Sequence, residues 1–114
     1  MLGDDGWTLT AAADADFDEV MTWFPDAASV DRWGGPDFRF PFTRESFIED
    51  CRTDVMESYV LTSPDGQTAA FGQSYERTGR GHLARLVVNP AMRRKGAGKR
   101  LIQMIIAALE QQHD

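Results

Sequence analysis

Two glycines one residue apart, Gly96 and Gly98, stand in a run of bases in which Arg93, Arg94, Lys95, Lys99 and Arg100 fill five of eight consecutive positions. Glycine has no side chain to obstruct a tight bend, so successive amide N–H groups can converge on one anion. Where such a loop opens a helix, the unpaired N–H groups of the first turn and the helix dipole add to the same field. The chemistry these residues support is the seating of a phosphate or pyrophosphate. A basic run is otherwise a solvated helix face; its coincidence with the glycine loop favours the anion.

Other groups with chemical potential are sparse. His82 and His113 are far apart, and with a single cysteine the sequence predicts no metal site. That cysteine, Cys51, shares helical spacing with Phe47 and Ile48, which makes it a core thiol rather than a nucleophile. It also excludes an internal disulfide and fits a reducing compartment.

The elements that must carry the loop are legible from periodicity. Trp7 to Thr10 reads as a first strand. A helix capped by Asp14 or Asp16 follows, with an Asp16/Glu19 capping box, a stripe of Phe17, Val20, Met21 and Phe24, and an end at Pro25. Asp26 to Trp33 predicts a shorter helix with Val30 and Trp33 inward. The Gly- and Pro-rich loop from Gly34 to Phe42 carries three phenylalanines that, with Trp33, either pack under the domain or line a substrate groove. Thr43 caps a third helix to about Arg52. Tyr59 to Thr62, Gln67 to Glu76 and His82 to Val88 form an antiparallel meander, and Asn89-Pro90 ends the last strand. Ser74 and Tyr75 face opposite ways, so only one of them can look into any given cleft. A final helix from Gly98 to about Gln111 presents Leu101, Ile102, Ile105, Ile106 and Leu109 as a wide apolar face against the sheet.

The 114 residues suffice for one compact domain, and no apolar run approaches the roughly 20 residues that span a bilayer. Met1-Leu2-Gly3-Asp4-Asp5 carries acids where a secretory signal carries bases, so the sequence predicts no export and a cytoplasmic location. The net charge of −6 is uneven: residues 1–76 hold 16 acids and 4 bases, whereas residues 77–114 hold 2 acids and 8 bases. The positive field is therefore local to the loop, and the acidic remainder would repel a long nucleic acid.

Leu83-Ala84-Arg85-Leu86-Val87-Val88-Asn89-Pro90 followed by Arg93-Arg94-Lys95-Gly96-Ala97-Gly98 resembles the cofactor motif of the GNAT N-acetyltransferase superfamily: Arg or Gln, two residues, Gly, one residue, Gly or Ala. The flanking strand, the Asn-Pro turn, Leu101 in the helix and the upstream order of elements resemble the same family. The resemblance implies an α/β fold with a mixed, mostly antiparallel sheet flanked by helices. It implies acetyl-CoA as cosubstrate and a small-molecule or peptide amine as acceptor. Loop N–H groups over Arg94, Lys95, Gly96, Ala97, Gly98 and Lys99 would hold the pyrophosphate, with further phosphate contacts from Arg93, Arg94 and Lys99. The main chain of Leu86, Val87 and Val88 would pair with the pantetheine arm while their side chains enter the core. N–H groups near Val87 or Val88 would polarise the thioester.

Amine acetylation needs a base, for which Glu76 is the first candidate and His82 the second, because imidazole exchanges protons near neutral pH. The acidic first part predicts a cationic acceptor, such as a polyamine, an aminoglycoside or a basic peptide terminus. Family members continue past this helix with a fifth strand, another helix and usually two more strands. The resemblance therefore implies an incomplete domain, residues 1–114, whose open edge from His82 to Val88 offers pairing to a second copy. A non-catalytic acyl-CoA-binding module, or an inactive fragment associating through that edge, is the alternative expectation.

Overall fold

The computed structural model describes residues 2–112, and side chains within 5–111. His113, weighed above as a metal ligand, and Asp114 lie outside them. Five strands form one sheet in chain order: β1 (Leu2–Asp4), β2 (Trp7–Ala11), β3 (Glu57–Thr62), β4 (Thr68–Arg77) and β5 (Arg80–Val88). Every described pairing is antiparallel. The strand β1 was not expected, since three residues are too few to show a period. It is folded back on β2 by Asp5 and Gly6, both at positive φ.

Helices α1 (Asp14–Met21), α2 (Ala27–Gly34) and α3 (Arg44–Asp50) cover one face of the sheet, and α4 (Ala97–Gln112) covers the other. Cross-strand register builds each face. Leu9, Leu61, Ala70 and Val88 stand opposite one another on four successive strands and pack under Leu101, Met104 and Ile105 of α4. Val60, Phe71 and Val87 form the matching row beneath Phe17, Val20, Val30 and Phe47. Trp33 and Phe38 join that second layer, with Trp33 stacked flat on Phe47 at 5.7 Å, so the loop aromatics divide in favour of packing.

Local chemistry moved several boundaries. The first helix is capped at Ala13, not Asp14 or Asp16; the Asp16 carboxylate accepts from the Ala13 N–H at 2.7 Å, and the Asp16/Glu19 box does not form. That helix ends at Met21 instead of reaching Phe24, yet Trp23 and Phe24 remain buried in the turn that follows. The caps of α2 and α3 are Asp26 and Thr43, accepting from Ser29 and Ser46 at 2.8 and 3.0 Å. The third helix stops at Asp50, two residues short of Arg52, which adopts φ +55. On α4, Ile102 and Ile106 face solvent, so its apolar stripe is narrower than expected.

Candidate functional site

The basic loop is pinned at both ends. Asn89 closes a short 3₁₀ turn, Pro90–Met92: its side-chain oxygen accepts from the Ala91 N–H at 3.0 Å, and its amide donates to the Thr68 carbonyl at 2.9 Å. Met92 drops into the core, and at the far end Ala97 is buried. Between these anchors Arg93, Arg94, Lys95 and Gly96 are exposed, with Arg94 and Gly96 at φ +68 and +77. A Cβ built on Gly96 would meet nothing within 4 Å, so the space above the bend is open. Helix α4 begins there. Its first described amide bond runs from Arg100 back to the Gly96 carbonyl at 3.1 Å, which leaves the N–H groups of the preceding turn without an intrahelical acceptor. Gly98 packs against Val88, where a Cβ would lie 3.3 Å from its Cγ2. Lys99 is exposed. Arg100 instead turns away: its guanidinium sits over Trp7 at 5.1 Å and 3.8 Å from Asp5. This is a donor-rich, uncrowded cradle with the geometry and local positive charge to seat a phosphate-type anion.

Beside the cradle runs β5, which among the described residues is hydrogen-bonded in the sheet to β4 alone. Its register breaks where Arg85 and Leu86 stand opposite the single residue Gly72, a β-bulge with Arg85 at φ +51. At Gly72 a Cβ would lie 2.7 Å from Leu86 Cδ2, so a side chain there would have to displace the Leu86 tip. The bulge puts Ala84 and Arg85 on the α1–α3 side. The Arg85 carbonyl turns out of the ladder to accept the Trp33 indole N–H at 2.7 Å. Because a trans peptide sets C=O and N–H antiparallel, the Leu86 N–H points away from Trp33. Val87 and Val88 pack into opposite faces as expected, but Leu86 is 37% exposed and not a core side chain; it folds over Gly72 at the margin of the α4 face, so one side of it stays open to solvent. Leu86, Val87 and Arg93 border a cleft of about 360 Å³ whose other wall includes Trp23, Phe24 and Trp33. There the Asp26 carboxylate is held below its usual range by the Ser29 N–H and so remains charged.

Glu76 and His82 are not brought together. Strand alternation turns Glu76 toward the α4 side, like its partner Gly81, and His82 toward the other, where its ring stacks on Tyr75 at 5.1 Å. Tyr75 lines a second cleft of about 470 Å³ with Arg52, Met56, Ala84 and Arg85, and Glu76 borders its rim. Ser74 faces the opposite side, buried against the Tyr59 hydroxyl at 3.1 Å. Cys51 is fully buried, and desolvation pushes its thiol up to about 12, so it is no nucleophile. Among the described residues, no group of three or more His, Cys, Asp or Glu could hold a metal, and no helix is long and apolar enough to cross a membrane.

Two residues beside the cradle, Gln73 and Arg85, were given no side-chain role in the sequence, whereas Trp33, weighed there between packing and lining a groove, does both. Gln73 is fully buried, donating to the Cys51 carbonyl at 2.7 Å and to Ser58 Oγ at 3.0 Å while its oxygen accepts from Arg85 at 3.2 Å. The available signal was a charged residue inside an apolar strand, facing an amide beside a glycine on the neighbouring one.

The model of the acetyltransferase (GNAT) family matches residues 19–114. The chain belongs to the GNAT acetyltransferase family. Solved structures with the same fold include the ribosomal-protein-S18-alanine N-acetyltransferase of Escherichia coli, 20% identical with a TM-score of 0.63 over 93% of this chain and 61% of that one. Another is the ribosomal-protein-S5-alanine acetyltransferase of Vibrio fischeri, 12% identical, TM-score 0.65, covering 97% of this chain and 67% of that one. A Trypanosoma brucei acetyltransferase is 20% identical, TM-score 0.59, over 94% of this chain and 76% of that one. The chain thus spans 61% of the E. coli enzyme's length. No curated protein matched the sequence. At these identities the structural likeness establishes the fold alone, and the chemistry has to come from the site.

Proposed function

We propose that this chain, as a single acetyltransferase domain, transfers an acetyl group from acetyl-CoA to a primary amine of a small molecule or peptide. The observation that carries the reading is the open, donor-rich cradle at the start of α4 lying against the edge of β5 that no other described strand pairs with. In this reading the N–H groups of Gly96, Ala97, Gly98 and Lys99 hold the pyrophosphate, and Arg93, Arg94 and Lys95 supply charge around it. The main chain of Leu86, Val87 and Val88 pairs with the extended pantetheine as an added strand does. Acetyl-CoA, when bound, supplies an acyl group already activated as a thioester. N–H groups near Val87 and Val88 polarise its carbonyl oxygen.

The attacking amine must be neutral, and Glu76 is the first candidate to take its proton, with His82 the second. The two side chains stand on opposite strand faces, although Glu76 also borders the cleft that Tyr75 lines, and Glu76→Gln and His82→Gln separate their roles by their pH–rate profiles. A peptide amino terminus, the kind of acceptor in the names of the E. coli and V. fischeri enzymes, and a small cationic amine are both acceptors to assay. A second copy pairing along β5 would use the main-chain groups assigned to pantetheine, so dimerisation and cofactor binding should compete. The lone buried cysteine and the coenzyme A donor suit a cytoplasmic setting.

A thermal-shift titration with acetyl-CoA tests the reading, because a ligand bound only by the folded state at 100 times its Kd stabilises by about 2.7 kcal/mol. Gly96→Glu, which puts a like charge on a strained positive-φ position, should abolish the shift, and Cys51→Ser should retain it. A parent protein that does not respond to millimolar acetyl-CoA is not an acyl-CoA enzyme in this form.

A further inference from the structure

We propose that Arg85 anchors a carboxylate of the acceptor in the cleft between the segment after α3 and the β4–β5 hairpin, so that the amine acetylated is an amino acid or another carboxylate-bearing amine. The proposal rests on the acetyltransferase reading and narrows its acceptor.

Arg85 is a half-buried cation whose described hydrogen-bond and ring partners are all neutral. One guanidinium nitrogen donates to the Gln73 oxygen at 3.2 Å and lies 3.8 Å from Met56 Sδ, and the group sits over the Phe38 ring at 5.6 Å. Among the described residues Arg85 has no carboxylate oxygen within 4.0 Å. Asp50 feels its charge, but the Asp50 carboxylate is engaged by Arg39 at 3.0 and 3.1 Å. A guanidinium drawn partly out of water loses hydration that neutral acceptors replace only in part. A ligand carboxylate would replace it fully, in the two-pronged geometry that guanidinium favours.

The side chain is also held in place before any ligand arrives. Both described bonds of the Gln73 amide nitrogen go to Cys51 and Ser58, which fixes its oxygen toward Arg85. The bulge and the Trp33 bond fix the Arg85 main chain. The cleft it enters, about 470 Å³, is within the range that takes a small ligand. Apolar walls come from Met56 and from Val55, 61% exposed, while Arg52 adds a second guanidinium and Glu76 is the one acid of the lining. The acidity of the first 76 residues predicted a cationic acceptor. Surface carboxylates beyond about 8 Å are screened at physiological salt, so the two lining arginines decide the local preference.

The test compares N-acetyl-L-leucine with its uncharged amide as product-like probes, titrated into the isotope-labelled chain by protein-observed NMR with coenzyme A present. The acid should bind at least tenfold tighter than the amide, and should shift the amide signals of Tyr75, Ala84 and Arg85 in the unmodified chain. Arg85→Gln should erase the preference, and Arg85→Lys should keep part of it. Should either variant not fold, the shift map of the parent decides. Equal affinities, no binding of either probe, shifts confined to other residues, or a preference that survives in Arg85→Gln overturns the proposal. Titrating coenzyme A alone keeps the two readings apart: a chain that prefers the acid yet ignores coenzyme A would retain the anchor and lose the acetyltransferase reading.

Discussion

Trp33 donates its indole N–H to the carbonyl of Arg85 at 2.7 Å, tying α2 to the bulge of β5 across 52 residues of sequence. The same ring lies against Phe47 at 5.7 Å and 10° and against Phe24 at 4.6 Å, so one side chain secures the bulge by a polar contact and the aromatic layer by packing.

Trp33→Phe separates those roles, since phenylalanine keeps most of the stacking and has no donor. An unpaired carbonyl in a part-buried site costs about 1–3 kcal/mol. Urea unfolding should register that loss, and amide exchange at Leu86 and Val87 should accelerate more than exchange in β3. If the midpoint and exchange pattern are both unchanged, the bulge stands without Trp33.

Gly72→Ala tests the bulge from the other strand. Its Cβ would meet Leu86 Cδ2 at 2.7 Å, with Leu101 and Ile105 close behind at 3.2 Å, so overpacking should cost about 1–3 kcal/mol. Leu86 is half-exposed and can be shortened cheaply. Adding Leu86→Ala should return much of the loss, and a double-mutant cycle should give a coupling of at least about 0.5 kcal/mol. Purely additive effects would show that Leu86 does not cover Gly72.

Much of this arrangement was legible because its signals are periodic or local. The 3.6-residue stripes of α1 and α4 and the cap Thr43 all report on residues within a few positions. The glycine loop was readable for the same reason: Gly96 takes a φ few other residues accept, next to bases and a helix start. The bulge was not, because nothing in Arg85-Leu86 states that one residue opposite will be Gly72. That is a fact about register, set by the whole β4–β5 pairing. The Gln73–Cys51 bond and the Trp33–Arg85 bond join residues 22 and 52 apart, beyond any sequence window. The Ala13 cap was misplaced because three aspartates compete within five residues, and the winner bonds backward from the third helical position.

Cys51 gives a pH signature. Burial, reinforced by Asp50 and opposed by Arg85, raises its thiol to about 12, whereas an unfolded thiol ionises near about 8.5. Its contribution is complete below the lower value and is lost as pH rises toward the upper one, because only the unfolded chain gains by deprotonating. The stability advantage of the parent over Cys51→Ser should therefore shrink between about pH 8.5 and 10. Under native conditions a thiol-specific reagent should react only at the rate of opening, and prompt labelling would place the thiol at the surface.

Asp50 gives the opposite sign. Hydrogen bonds from the Arg39 side chain, then its backbone N–H, hold this carboxylate below its ordinary range despite some desolvation. Stability from this pair is present above the unfolded carboxylate value of about 3.9 and is lost as pH falls through the lower folded value. Asp50→Asn should melt below the parent at pH 7, and the gap should close as pH falls below about 4. A gap independent of pH would assign the effect to the shape of the α3 terminus instead of its charge.

The bulge at Arg85 and Leu86 also governs how this chain behaves in a crowd. An edge strand with a straight row of free amides and carbonyls is a template on which other chains can grow. Here the row is broken after Ala84, one carbonyl is withdrawn to Trp33, and a bulky charged side chain stands at the break. What remains is residues 80–84 before the bulge and 87–88 after it, in different registers. The same kink that shapes the proposed active site thus limits how far a second chain could pair along this edge without a register break.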